Sequence, residues 1–215
     1  MMILQVEEVV AGLRKVVGGQ PPVIGSKNPF KVLTATILSA RTRDENTEKV
    51  VEKLFNVYST PRGLANAPLR RLESLVRSSG FYKVKARRIR DVSRQILKEF
   101  GGKVPSRMED LLSLRGVGRK TANCVLVYAY GKPAIPVDVH VHRMSNRLGW
   151  VKTKTPEETE RELARIVPRR FWIELNKLMV KYGRRICLPR NPKCSVCKIR
   201  GYCRRVGVRE SNSVQ

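Results

Sequence analysis

Acidic residues are scarce in this chain: 18 Asp and Glu face 44 Lys and Arg in 215 residues, a formal charge of +26. Self-repulsion on that scale opposes compaction, so the charge points to an anionic partner rather than to solubility alone. The acids are too few for the matched ion-pair networks of a thermophile's charged surface. An anionic membrane is a second reading, but no strongly basic amphipathic helix stands apart, and nucleic acid leads. Aromatics are also few, at 6%, so Ala, Val, Ile and Leu must fill the core. No apolar run approaches the ~20 residues of a membrane-spanning helix. Residues 1–12 are apolar but carry Glu7 and Glu8, with no basic residue before Arg14. That fits neither a secretory signal nor an Arg-rich transit peptide, and a cytoplasmic protein is expected. What is present is a hydrophobic content of 41%. It speaks against pervasive disorder and suffices for one large domain or two small lobes.

Hydrophobic spacing reads as helix throughout. Val6, Val9, Val10, Leu13 and Val17 form one stripe, and Phe30, Leu33, Ile37 and Leu38 a second. Val50, Val51, Leu54, Phe55 and Tyr58 form a third, Ile89, Val92 and Ile96 a fourth, and Phe171, Leu175, Leu178 and Tyr182 a fifth. All follow three-and-four spacing. Asn28-Pro29 predicts an N-cap followed by proline at the first helical position. Ser106-Arg107-Met108-Glu109 and Thr155-Pro156-Glu157-Glu158 both match the capping box. Breaks are expected at residues 18–22, 60–63, 78–80 and 101–102. Val137 to His142 is ambiguous. With a period of two it is a strand presenting Asp138, His140 and His142 as a metal-ligand set. With a helical period, Val137, Val141, Met144 and Leu148 form a core stripe and Asp138 caps the helix; the helical flanks favour this second reading.

Two motifs carry chemistry. Residues 114–122 read Leu-Arg-Gly-Val-Gly-Arg-Lys-Thr-Ala. Gly116, Val117 and Gly118 permit a tight turn between two helices. The amides at the second helix's start, with Arg119 and Lys120, then suit a DNA phosphate. A plain helix-helix turn is the alternative. Lys120 lies in that helix's first turn, where the dipole and neighbouring cations disfavour its protonation. It reads either as another phosphate contact or as an amine nucleophile able to form a Schiff base. The second motif is Cys187, Cys194, Cys197 and Cys203, four thiols within 17 residues. In an intracellular chain that implies a metal site rather than disulfides. The spacing alone leaves zinc and a [4Fe–4S] cluster equally open. The fifth cysteine, Cys124, lies on an apolar helix face and reads as packing. Lys83 to Lys98 carries seven basic residues against one acid, Asp91, a solvated face that also widens a phosphate footprint.

Taken together, the hairpin at 114–122, the segment Val137-Asp138-Val139-His140-Val141-His142-Arg143 and the cysteine ending resemble the endonuclease III family, the iron–sulfur branch of the helix-hairpin-helix DNA glycosylases. Residues 37–44 (Ile-Leu-Ser-Ala-Arg-Thr-Arg-Asp) and Gly80-Phe81-Tyr82 match two further family stretches. The resemblance runs from about Val6 to Cys203. Arg41 stands where the family usually has Gln, Arg115 where it has Pro, and Val139 where it has Thr.

The resemblance implies an all-α protein of two lobes with DNA across a cleft between them. Residues 22–132 would form a six-helix barrel with the hairpin. Residues 1–21 and 133–215 would form the second lobe, with a [4Fe–4S] loop at 187–203. It makes Lys120 the Schiff-base nucleophile and Asp138 the catalytic carboxylate, and decides the cysteines in favour of iron–sulfur. Gly116, Val117, Gly118, Arg119, Arg41, Phe81 and Arg143 become DNA contacts, with Phe81 as a wedge beside the flipped nucleotide. The implied activity is base-excision repair: a bifunctional glycosylase for oxidised pyrimidines with AP lyase activity. Its partner would be double-stranded DNA with damaged bases or abasic sites, not a membrane. The protein would act as a monomer at the nucleoid of a prokaryotic cytoplasm. A mismatch-specific monofunctional glycosylase and a non-catalytic, cluster-bearing DNA-binding protein are the alternatives.

Overall fold

The computed structural model describes residues 2–19, 25–40, 42 and 44–208. Among them are eleven α-helices and no strand. In chain order these are α1 (Met2–Val17), α2 (Pro29–Ser39), α3 (Asp44–Val57), α4 (Pro61–Asn66), α5 (Leu69–Leu75) and α6 (Tyr82–Phe100). There follow α7 (Met108–Ser113), α8 (Arg119–Tyr128), α9 (Val139–Leu148), α10 (Pro156–Ile166) and α11 (Trp172–Arg185). No described helix is long and apolar enough to cross a membrane. The chain divides into two compact units, Ile24–Lys132 and Met1–Val23 with Pro133–Gln215.

The 24–132 unit holds α2 to α8. Asn28 caps α2 as its neighbours predict: Oδ1 accepts from the amides of Phe30 and Lys31 at 2.9 and 3.1 Å, and Pro29 opens the helix. The buried face of α2 packs on α3 and α8, and α6 packs on α4 and α5. Leu33, Leu38, Leu54, Leu64, Leu72, Ile89 and Ile96 are sealed in the interior. Two local expectations fail here. Thr60-Pro61 starts a helix instead of breaking one: Thr60 Oγ1 accepts from Gly63 N at 3.1 Å, and Pro61 is the first residue of α4. Ser106 does not cap α7. The N-cap is Arg107, without a side-chain bond, because Ser106 turns to Lys132, whose ammonium donates to its carbonyl and hydroxyl at 2.5 and 3.1 Å.

In the terminal unit, α1 buries Val6, Val9, Val10, Leu13 and Val17, the full sequence stripe. Each contributes about 1.5–3 kcal/mol of transfer energy before ordering entropy is charged. This stripe joins Val141, Met144 and Leu148 of α9 and Leu175, Leu178 and Tyr182 of α11 in one core. Arg14 clamps α1 to α11 through Glu174, and Arg170 pairs with Glu7. Thr155 closes the capping box with Glu158 at the start of α10. The Val137–His142 segment is resolved as helix: α9 begins at Val139, and its core stripe is buried.

Candidate functional site

The hairpin connects α7 to α8. Leu114 O accepts from Val117 N at 3.0 Å, closing a four-residue turn in which Gly116 takes φ +78°. Only glycine enters that region without steric cost, as at the third position of a type II turn. Leu114 and Val117 are buried and anchor the turn. Gly118 is the N-cap of α8, with φ −93°, and contributes no capping side chain. A helix start capped by glycine alone leaves its amides to an outside acceptor, with the positive end of the dipole behind them. Arg119 and Lys120 follow immediately, and Lys120 is half-buried in the first turn.

Two residues of α6 support this turn, and sequence reading missed both. Gln95 Nε2 donates to Ser113 O at 3.0 Å, and its Oε1 accepts from Arg115 N at 2.9 Å, so one amide bridges the two sides of the turn. Arg88 lies against Gly116, its Nε 2.6 Å from where a Cβ would stand. Sequence offers no local signal for either, since both act across about twenty residues or more.

Asp138 is the N-cap of α9. Its Oδ1 alone accepts both cap bonds, from His140 N at 2.9 Å and Val141 N at 3.0 Å. That fixes the carboxylate at the positive end of the helix dipole. Beside it Val139 is 67% exposed, an outward apolar residue at the site's edge. Lys120 belongs to the 24–132 unit and Asp138 to the terminal unit. The two histidines near Asp138 point elsewhere. His142 Nδ1 lies 2.7 Å from Thr159 Oγ1, and His140 Nδ1 lies 3.1 Å from an Arg143 nitrogen. Burial pushes His140 below its ordinary pKa, with Asp138 opposing. The strand-borne Asp/His/His metal set is thereby overturned.

Arg143 takes an inward role. Its Nε and Nη2 donate to Cys187 O at 3.1 and 2.8 Å, and Nη2 donates to Gly183 O at 3.0 Å. Phe81 is 61% exposed and occupies φ +57°, a left-handed conformation, at the start of α6. It is a surface residue and not part of the core. Arg41 lies outside the described residues.

Past α11 the chain folds a short loop around four thiols. Lys193 N donates to Ile186 O at 2.9 Å, and 3-10 turns run over Cys194–Val196 and Arg200–Tyr202. Cys187, Cys194, Cys197 and Cys203 all line one pocket, with Met144, Leu148, Tyr182 and Ile199 supplying its apolar wall. Arg147 Nη1 donates to Cys187 Sγ at 3.3 Å and to Leu188 O at 2.6 Å, while Nη2 donates to Pro189 O at 2.8 Å. Tyr182 Oη donates to Cys197 Sγ at 3.3 Å. Burial, then Cys197, raises the Tyr182 pKa, which keeps the phenol a donor. Burial and the other cysteines push the thiols of Cys194 and Cys203 upward. Thiol ligands bind metal as thiolates, so a cluster seated here would displace their protons.

The donor set fits a cluster. Four cysteine thiols lining one pocket with an apolar wall match a [4Fe–4S] unit, which takes one thiolate per iron and brings its own sulfides. Arg147 and Tyr182 supply the hydrogen bonds to ligand sulfur that tune such sites.

Residues 34–169 match the family described as HhH-GPD superfamily base excision DNA repair protein, and residues 187–203 match the iron-sulfur binding domain of endonuclease III. The endonuclease III of Thermotoga maritima is 54% identical over 176 residues, 82% of this chain and 83% of that one. The endonuclease III of Synechocystis is 40% identical over 197 residues, 91% of this chain and 90% of its own. Among solved structures, a trapped endonuclease III–DNA covalent intermediate superimposes with a TM-score of 0.88 at 36% identity, covering 94% of this chain and 95% of that one.

Proposed function

This chain belongs to the endonuclease III branch of the HhH-GPD base-excision DNA repair superfamily, and from that premise we propose that it removes oxidised pyrimidines and then cuts the strand through a lysine Schiff base. It is an all-α DNA glycosylase that carries a [4Fe–4S] cluster, and in our reading Cys187, Cys194, Cys197 and Cys203 are its ligands. The finer reading is our own. Its substrate is double-stranded DNA holding a damaged base or abasic site, and the protein acts as a monomer at the nucleoid. The lobe of residues 22–132 presents the hairpin. The lobe of residues 1–21 and 133–215 carries the cluster.

One observation supports this reading most: Lys120 lies two residues past a glycine N-cap, directly behind a turn suited to gripping phosphate. Gly116, Val117, Gly118 and Arg119 hold the backbone without reading sequence. The damaged nucleotide leaves the stack, which is cheapest where damage already weakens pairing. Phe81 enters beside the gap, with Arg41 filling the space left by the base. The neutral Lys120 amine attacks C1′ and the C1′–N bond breaks, its electron pair leaving with the base. Asp138 stabilises positive charge developing on the sugar and takes up the lysine proton. The C1′–O4′ bond then breaks, O4′ taking up a proton as the sugar ring opens, and the iminium formed between C1′ and the lysine nitrogen acidifies the 2′ hydrogen. Loss of that proton drives β-elimination: the C3′–O bond breaks, and its electron pair leaves with the 3′ phosphate. Arg143 steadies the Asp138 helix through its carbonyl contacts and offers its remaining donor to phosphate. The cluster holds the C-terminal loop in shape and enters no chemical step.

Borohydride added during turnover tests the reading by reducing the imine to a stable protein–DNA adduct. Lys120→Arg keeps the charge but supplies no neutral amine, so binding should persist while trapping and strand scission vanish. Asp138→Asn retains the cap and should bind normally yet release base slowly. Trapping by Lys120→Arg at the wild-type level would assign the nucleophile elsewhere. Base release without any trapping would make the protein monofunctional.

A further inference from the structure

Lys85 is the one lysine of α6 turned fully inward, at 4% exposure. Its ammonium donates to Leu38 O and to Thr42 Oγ1, both at 2.7 Å. Both acceptors are neutral, and burial lowers the Lys85 pKa to about 8. A lysine needed only for packing would carry its charge out to water on a flexible stem. Burying the ammonium instead costs free energy, and its bonds identify what is held in return.

The Thr42 hydroxyl is fully used. It accepts from Lys85 Nζ and from Gly80 N at 3.2 Å, and donates to Ala40 O at 3.4 Å. A hydroxyl has one proton and two lone pairs, so no capacity remains. Gly80 precedes Phe81, and Phe81 O accepts from Lys85 N at 3.1 Å. One side chain and one hydroxyl thus tie together the end of α2, the turn after it and the turn presenting Phe81.

We propose that Lys85 is a positioning residue for strand probing: acting through Thr42, it locks the turn after α2 and the Phe81 turn into one rigid element, so that the Phe81 ring meets the base stack in a fixed pose. This rests on the reading above, in which Phe81 acts as a wedge. The lock serves the step at which the nucleotide is committed to the flipped state. It contributes little to phosphate-driven affinity, because neither Lys85 nor Thr42 offers a charge to the backbone.

The test uses the full, cluster-loaded chain and a duplex with 2-aminopurine beside a lesion, whose fluorescence rises when a wedge unstacks it. Lys85→Met and Thr42→Val should each lower the fluorescence rise. They should also slow single-turnover base release on the order of tenfold, the sensitivity expected when a reacting group is slightly misplaced. Affinity for undamaged duplex should stay within about twofold. Thr42→Ser keeps the hydroxyl and should restore both signals. Thr42→Val keeps the proposal testable if Lys85→Met folds poorly. Adding Phe81→Ala to Thr42→Val should cost less than the product of the single effects, since both act on one element. Wild-type fluorescence and rate in Thr42→Val, no rescue by Thr42→Ser, or full additivity with Phe81→Ala would each overturn the proposal while leaving the glycosylase reading intact. A wild-type protein that releases no base from any damaged duplex would overturn both.

Discussion

Replacing either hairpin glycine with alanine separates backbone strain from phosphate access, because the two sites differ physically. Gly116 has φ +78°, and a Cβ there would lie 2.6 Å from Arg88 Nε and 2.8 Å from its Cδ. The left-handed backbone costs an L-residue about 1–2 kcal/mol, and pushing Arg88 to another rotamer adds about 0.5–1.5 kcal/mol. The stiffer unfolded chain returns about 0.4–1 kcal/mol. Gly116→Ala should therefore destabilise the protein by about 2 kcal/mol, which for a chain of this size lowers the melting temperature by about 4–8 °C. Gly118 has an ordinary φ of −93°, and nothing lies within 4 Å of its would-be Cβ. The entropy gain there offsets the weaker cap, so Gly118→Ala should melt within about 2 °C of wild type. Its effect should instead be on DNA: affinity should fall equally for all duplex sequences, because a backbone grip carries no base information. Thermal melting and duplex titration of both variants decide the matter. Equal destabilisation by the two substitutions, or a wild-type melting temperature for Gly116→Ala, would refute the turn geometry. Sequence-selective loss of binding in Gly118→Ala would refute backbone gripping.

Three further outcomes follow from the same geometry. Arg147→Met removes the donors to Leu188 O, Pro189 O and Cys187 Sγ; leaving such acceptors unmet costs about 2–4 kcal/mol, and visible absorption should bleach faster under mild denaturant than in wild type. The purified protein should be yellow-brown with about four irons per chain, and acid removal of iron should melt the C-terminal loop first; a colourless protein with one zinc would refute the cluster. The Lys85 pKa is about 8, against 10.5 for an ordinary lysine, so between those values the unfolded chain binds more protons and stability rises with pH. The stability of wild type relative to Lys85→Met should be lowest below pH 8 and improve between pH 8 and pH 10.5 in denaturant titrations.

The parts of the fold legible in the sequence are those set by local rules. The stripe of α1 and the caps at Asn28, Asp138 and Thr155 depend on residues within a few positions of one another, and the structure contains each of them. Short helices were harder. α4 and α5 span six and seven residues, less than two turns, so no hydrophobic period develops and Thr60-Pro61 reads as a break. Ser106 failed for a different reason. A cap competes with every other partner that the hydroxyl can reach, and Lys132, distant in sequence, won. The Gln95 bridge and the Lys85 lock stayed hidden because they join segments far apart in the chain.

The cluster loop shows how this limits reasoning from charge. A formal charge of +26 invites the assumption that each Arg and Lys faces phosphate. Yet Arg143 and Arg147, one turn apart on α9, direct most of their donors to carbonyls and sulfur of the 183–189 segment. Burial lowers the pKa of Arg143, the direction expected of a guanidinium drawn inward. Lys85 is likewise committed inside the other unit. Arg147 and Lys85 raise the net charge without adding to the phosphate contacts, and Arg143 keeps one donor for them, whereas a logarithmic salt titration counts only the counterions those contacts release. Its slope should therefore stay nearly unchanged in Arg147→Lys and fall by about one contact in Arg119→Gln, whose side chain leaves the helix start beside the hairpin. The reverse pattern would mean that the guanidinium at 147 faces DNA and that the cysteine loop is held by other bonds.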